Sequence, residues 1–250
     1  LSKILYFFGL ILLSSLCWGQ NEEAIQADRP DQSDGIHILN PGSFQLETGF
    51  IFEHTDKKLY DIIQSTLLRY GVGPNWEFRI LINEGFISDD AFKTPSFGLD
   101  PISISAKVAL LSQQQIIPAI TLVTYLQLPF AASKKNKVDY YAPTVLLAFE
   151  NEVNSRFVLG YNIGISWDGI EKKPEYLATL SLGYGLSYRW SFFGEYFSSF
   201  RPLKLTNHNI DFGASYLLSS DLLLDFAVGY SFLVPGNTSF ETFGLTYLFR

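Results

Sequence analysis

The stretch Leu222-Leu223-Leu224-Asp225-Phe226-Ala227-Val228-Gly229-Tyr230-Ser231-Phe232 separates cleanly when read at every second residue. Leu222, Leu224, Phe226, Val228, Tyr230 and Phe232 share one side, and Leu223, Asp225, Ala227, Gly229 and Ser231 share the other. A period of two belongs to a strand, because successive Cβ atoms leave opposite faces of a pleated backbone. One face is greasy and largely aromatic or branched; the other is mostly small or polar. The same division recurs upstream. Phe44, Leu46, Thr48, Phe50 and Phe52 alternate with Gln45, Glu47, Gly49, Ile51 and Glu53. Phe157, Leu159, Tyr161, Ile163, Ile165 and Trp167 alternate with Val158, Gly160, Asn162, Gly164 and Ser166.

Twelve such segments can be marked, at 43–54, 60–72, 76–87, 101–111, 116–128, 143–151, 156–167, 175–188, 190–199, 207–218, 222–233 and 239–250. Their lengths centre near the roughly 9–11 residues that a tilted strand needs to cross a bilayer. Connections alternate in length. Short links at 73–75, 112–115, 151–155, Arg189 and 219–221 alternate with longer polar ones at 55–59, 88–100, 129–142, 168–174, 199–206 and 235–238. Short inner turns alternating with longer outer loops are a mark of transmembrane barrels, and an even strand count returns both ends to the inner side. The fold class predicted is all-β, a transmembrane antiparallel up-and-down barrel over 43–250 with a short N-terminal periplasmic or lumenal segment.

Composition agrees. Of 250 residues, 16% are aromatic, including 22 Phe and 14 Tyr, yet mean hydropathy is only +0.13. A helical membrane protein would be more apolar. The uncharged stretch Val108 to Ser133 is broken by glutamines, Pro118 and Pro129, which disfavours a spanning helix. A soluble β-sandwich shares the alternation, but not the combined aromatic load and turn–loop asymmetry. Leu1 to Gly19 reads as a signal peptide, with Lys3 ahead of the uncharged run Ile4–Leu16, which is too short to span a bilayer. Cys17, the single cysteine, falls in that segment, and Leu16 before it is a poor lipoprotein site. The net charge of −7 without a basic patch argues against nucleic acid as a partner. The aromatics at Phe243, Tyr247 and Phe249 on the last strand resemble the segment by which bacterial barrels are recognised by assembly machinery; the trailing Arg250 departs from it.

Several motifs carry a family resemblance. Ala27-Asp28-Arg29-Pro30-Asp31-Gln32-Ser33, followed by Pro41-Gly42-Ser43-Phe44-Gln45-Leu46-Glu47-Thr48-Gly49-Phe50, resembles the start of the meta-pathway phenol-degradation family of outer-membrane, transporter-like barrels. Leu67-Leu68-Arg69-Tyr70-Gly71 with Asn75-Trp76-Glu77-Phe78-Arg79 resembles its second hairpin, and Phe193-Gly194-Glu195-Tyr196 a later strand. The resemblance implies an outer-membrane barrel linked to uptake of small, often aromatic molecules.

With the greasy face toward lipid, Glu47, Arg69, Glu77, Arg79, Lys107, Glu150, Glu195, Asp211 and Asp225 point inward. Lipid exposure would cost about 2–4 kcal/mol for an Arg or Lys at mid-membrane. These residues either fill a narrow lumen with ion pairs or form a polar constriction, with Glu47, Arg69, Glu77, Arg79, Glu195, Asp211 and Asp225 lining a solute path. Inward Gly160, Gly164, Ser181, Gly183, Gly185, Gly213 and Gly229 leave space, while Leu67, Leu81, Phe193 and Leu217 reclaim some. Residues 20–42 form either a plug, with Asp28, Arg29 and Pro30 in the lumen and Arg29 paired to an inward carboxylate such as Glu47 or Glu195, or a periplasmic tail. No cofactor, metal-ligand cluster or catalytic motif stands out. His54 and His208, the latter flanked by Asn207 and Asn209, lie near the outer rim and leave a lipid hydrolase as a lesser alternative. The partners implied are outer-membrane lipids and lipopolysaccharide, whose phosphates Lys134, Lys135 and Lys137 could meet, and a small solute. A closed structural or surface-interaction barrel remains the competing reading.

Overall fold

Alternation along every segment closes the chain into a barrel. A computed structural model describes residues 25–55, 60–89, 92–202, 206–232 and 238–250. The expected signal peptide at 1–19 and Cys17 lie outside the described residues, as do residues 20–24 and parts of the outer links at 56–59, 90–91, 203–205 and 233–237. The strands are β1 (Phe44–Thr55), β2 (Tyr60–Gly73), β3 (Trp76–Asp89), β4 (Phe92–Leu99), β5 (Ser103–Leu111), β6 (Ala119–Gln127), β7 (Ala142–Asn154), β8 (Phe157–Ser166), β9 (Glu175–Gly185), β10 (Trp190–Phe200), β11 (Asn207–Ser219), β12 (Leu222–Phe232) and β13 (Thr238–Phe249). Pairing is antiparallel throughout, and β1 joins β13 from Phe44↔Phe249 to Thr55↔Thr238, so the sheet closes on itself. Closure satisfies the backbone without water, which a bilayer demands.

The extra strand corrects one expectation. Residues 88–100, with their Asp, Lys, Thr and Pro, read as an outer loop; instead β4 occupies 92–99. It pairs with the outer half of β3, from Glu84↔Leu99 to Asp89↔Phe92, while β5 pairs with the inner half, from Trp76↔Val108 to Leu81↔Ser103. β4 and β5 are thus two pieces of one stave in a barrel of twelve. Pro101 breaks it, since proline has no N–H for the ladder. Asp100 still donates its N–H to Asn83 at 2.9 Å, but Ile102 turns to Ala131 at 3.0 Å. Other boundaries move slightly: the strand foreseen at 116–128 begins at Ala119, that at 175–188 ends at Gly185, and β7 runs on to Asn154.

Inside and outside are inverted relative to a soluble domain. Phe97, Ile163, Leu182, Phe212 and Phe243 stand exposed on the outer surface, whereas Gln45, Glu47, Arg69, Glu77, Arg79, Lys107 and Asp211 are fully buried. Toward the short-turn end, ring pairs Phe44–Phe249, Phe157–Tyr184 and Trp190–Tyr216 lie 5.4, 4.8 and 4.7 Å apart. Amphipathic rings at that level match the aromatic girdle of a membrane barrel.

Candidate functional site

Strand alternation sends the charged residues inward, and the N-terminal segment meets them there. Residues 26–39 bond to strands around the inner wall, from the Gln26 carbonyl to the Leu39 N–H. Asp28 sits among three cations: its carboxylate accepts from Lys107 Nζ at 2.7 and 2.8 Å and from Arg79 Nη1 at 2.8 Å, with Arg69 Nη1 at 3.5 Å. Burial by itself would raise the pKa of Asp28, but Arg69, Lys107 and Arg79 outweigh it and hold this carboxyl well below the usual range. Arg69 is shared on the wall between Glu47 (2.8 Å) and Glu77 (2.9 Å). Arg79 also pairs with Asp34 at 2.9 Å, bonds Ser105 through Nε at 3.0 Å, and lies 4.7 Å from the Tyr125 ring.

On the far wall, Arg29 reaches Asp225 at 3.2 Å and the Thr242 hydroxyl at 2.7 Å. The inward carboxylate that pairs this guanidinium is therefore Asp225, in place of the Glu47 or Glu195 offered as examples. Glu47 instead accepts the backbone N–H groups of Asp28 and Arg29, at 3.0 and 3.1 Å, and Glu195 accepts from Gln32 N at 2.7 Å and from the Ser33 hydroxyl. Gly49 and Gly244, paired across β1 and β13, form the floor under Arg29. A Cβ at Gly244 would come within 2.5 Å of Arg29 Nε.

The rest of the segment is tied down by backbone groups. Asn162 and Asp34 exchange hydrogen bonds of 2.9 and 3.0 Å, the Ile36 carbonyl accepts from Thr121 at 2.9 Å, and Leu39 N–H meets Glu77 at 2.8 Å. Ile36 also packs on an apolar spot of Val123, Leu146 and Ala148. Where the chain enters β1, Gly42 and Gly71 bond at 2.8 Å; a side chain at Gly71 would strike the Asn40 carbonyl, which explains its glycine.

All seven residues nominated from sequence as lumen-lining are buried inside the barrel, but they are not one ring. Glu47, Arg69, Glu77 and Arg79 gather on β1–β3 with Lys107 of β5, whereas Glu195, Asp211 and Asp225 stand on β10–β12. Asp211 faces Glu195 in register, and its carboxylate makes no hydrogen bond to another described residue. Asp31 of the segment faces the same acidic wall. Burial first, then the charges of Glu195, Asp28 and Asp211, push its pKa well above the usual value. Asp34, Ser105, Tyr125 and Thr242 were missed because uncharged or loop residues give no parity signal by themselves.

The segment divides the lumen. A cavity of about 470 Å3 lies on the outer side, lined by Ile51, Glu53, Ile63, Asn83, Asp100 and Phe240. Another of about 520 Å3 opens toward the short turns, lined by Glu152, Arg156, Gly160, Gly183, Arg189 and Ser215. Residues 29–31, 33 and 34 border both. Gly164, Gly213 and Gly229, foreseen as space, are covered by Leu146, Phe193 and Phe240; Gly160, Gly183 and Gly185 have nothing nearer than 3.8 Å to where a Cβ would stand. At the rim, His208 Nδ1 meets the Tyr196 hydroxyl at 2.5 Å, and Ser198, opposite it in register, turns its own hydroxyl to Ala178. His54 pairs with Glu241 at 2.6 Å. Among the described residues no group of three His, Cys, Asp or Glu is placed to hold a metal ion.

Solved structures of similar shape include the COG4313 outer membrane channel from Pseudomonas putida F1, with a TM-score of 0.68, 12% identity and coverage of 88% of this chain and 100% of that one. The KdgM porin gives 0.58, 11% and coverage of 82% and 99%. The NanC porin gives 0.58, 8% and coverage of 81% and 98%. No curated protein matches the chain in sequence. Residues 27–249 match the family described as "Putative MetA-pathway of phenol degradation", and the chain belongs to that family.

Proposed function

We propose that the protein is an outer-membrane channel for passive, selective passage of small molecules, with residues 25–42 serving as a gate inside it. The observation that carries this reading is the division of one lumen into two cavities by a segment held through charge and hydrogen bonds. A side-chain core would fill the space; a strap anchored by ion pairs blocks it and is releasable. Twelve staves fall between barrels filled by side chains and those of 16–18 strands that leave an aqueous channel. A narrow, gated route suits that size. Once the segment moves, Glu47, Arg69, Glu77, Arg79, Glu195, Asp211 and Asp225 line the path. The short-turn end faces the periplasm, where a secreted chain leaves its N-terminus. The family description points to small aromatic compounds as solutes, and the structural relatives, a channel and a porin, support transport over catalysis.

A closed barrel is the second reading, favoured by the many strands to which the segment is bonded. Single-channel recording of the refolded protein in planar bilayers separates them. The expected result is sparse openings in the wild type and larger, more frequent ones for Asp28→Ala/Arg29→Ala. Silence from both proteins, each shown to be folded by heat-modifiable migration, would establish the closed barrel.

A further inference from the structure

We infer that Arg79 and Lys107 form a binding site for a small carboxylate solute, and that Asp28 occupies it as an internal stand-in whose displacement releases the gate. The inference rests on the channel reading for its consequence, but the site itself is read from geometry.

Three cations and two carboxylates are fixed on this part of the wall, namely Arg69, Arg79 and Lys107 with Glu47 and Glu77. Arg69 consumes both wall carboxylates. Among the described residues, the acids that Arg79 and Lys107 bond, Asp28 and Asp34, belong to the segment and not to the wall. When the segment leaves, it takes both acids with it. Two cations buried in the wall then lack counter-charge, a costly state that an incoming anion relieves. The pocket is shaped for a planar carboxylate. Asp28 uses both oxygens, Oδ1 on Lys107 and Oδ2 shared between Lys107 and Arg79. Arg79 Nη2 is buried with no acceptor among the described residues, so the guanidinium has a donor to spare for a second oxygen. Ser105 fixes Arg79 through Nε, and the Tyr125 ring lies 4.7 Å from the guanidinium carbon, an aromatic side chain beside the charge. An aromatic carboxylate thus meets both features.

Competition with Asp28 makes binding and opening one event. A solute competing with an internal ligand sees its affinity reduced by the fraction of time the site is vacant. Removing the Asp28 charge removes the competitor.

Two measurements test this. Sodium benzoate is the probe and benzyl alcohol its uncharged control. By calorimetry on the folded protein, Asp28→Asn is expected to bind benzoate about tenfold or more tightly than wild type. Lys107→Met added to Asp28→Asn is expected to abolish that gain. Equal affinity in wild type and Asp28→Asn, or an undiminished gain without Lys107, would overturn the inference. The second measurement needs no change at Asp28. In a Cys17→Ser background, Ser33→Cys places a buried thiol on the segment, and its maleimide labelling is expected to speed up with benzoate but not with benzyl alcohol. Equal rates with both would overturn the stand-in role. Folded but silent barrels that still bind benzoate would leave the site standing and remove the channel; conducting barrels indifferent to benzoate would do the reverse.

Discussion

Inward glycines on two sides of the same barrel have opposite consequences. On β1, β2 and β13, Gly49, Gly71 and Gly244 are pressed by the N-terminal segment, with Arg29 or the Asn40 backbone where a side chain would go. On β8 and β9, Gly160, Gly183 and Gly185 face a cavity. The first set makes room for a docked peptide, the second for solvent or solute. The charges divide likewise. The cations of β3 and β5 are neutralised by segment carboxylates, while the acidic wall of β10–β12 receives one guanidinium, a backbone N–H and a hydroxyl. A glycine or a charge in this lumen takes its meaning from which wall carries it.

The sharpest way to break the comparison is to remove the cation at the centre of the docked wall. Arg69→Met leaves Glu47 and Glu77 buried without their shared partner, and breaking such a buried pair costs about 3–5 kcal/mol. Arg156→Met, exposed beside the open cavity, should change stability by less than about 0.5 kcal/mol. Urea unfolding of the two refolded variants checks this; equal losses would show that the walls do not differ.

Next in size is Gly244→Val, whose added atoms meet the Arg29 guanidinium. Segment release is the expected outcome, seen as faster labelling of Ser33→Cys and larger conductance in a barrel that still folds. Gly183→Ala makes only ordinary contact with Val158 and should leave labelling unchanged.

A gentler test uses pH. Asp28 has a docked pKa below its free value of about 3.9, so its contribution to docking is complete above that value and is lost only as pH falls below it. Asp31 has the opposite sign. Its docked pKa is raised by burial and by the acidic wall, so its share favours docking at low pH and is lost as pH rises through the docked value. Above about pH 4, open probability should therefore rise with pH as Asp31 ionises, and Asp31→Asn should flatten the profile. A profile falling with pH would remove the acidic wall from gating.

Much of this was legible beforehand. Parity alone placed Arg69, Arg79 and Asp225 inward, because a charge on the lipid face is too costly, and turn lengths gave the up-and-down order. The run at 92–99 was misread because its polar residues and Pro95 look like a loop; strand β3 supplied the pairing that made it a strand. The covering of Gly213 by Phe193 was equally hidden, since parity gives a direction and not a neighbour.

By itself, then, the chain's alternation determined a closed barrel, its lipid face and the polarity of its interior, since a period of two and the cost of charge in hydrocarbon act locally. Only the tertiary structure decided which inward charges meet. Asp28 lies 79 residues from Lys107, and Arg29 lies 196 from Asp225. Closure of the wall brings these distant pairs together, and burial in the lumen makes each of them strong.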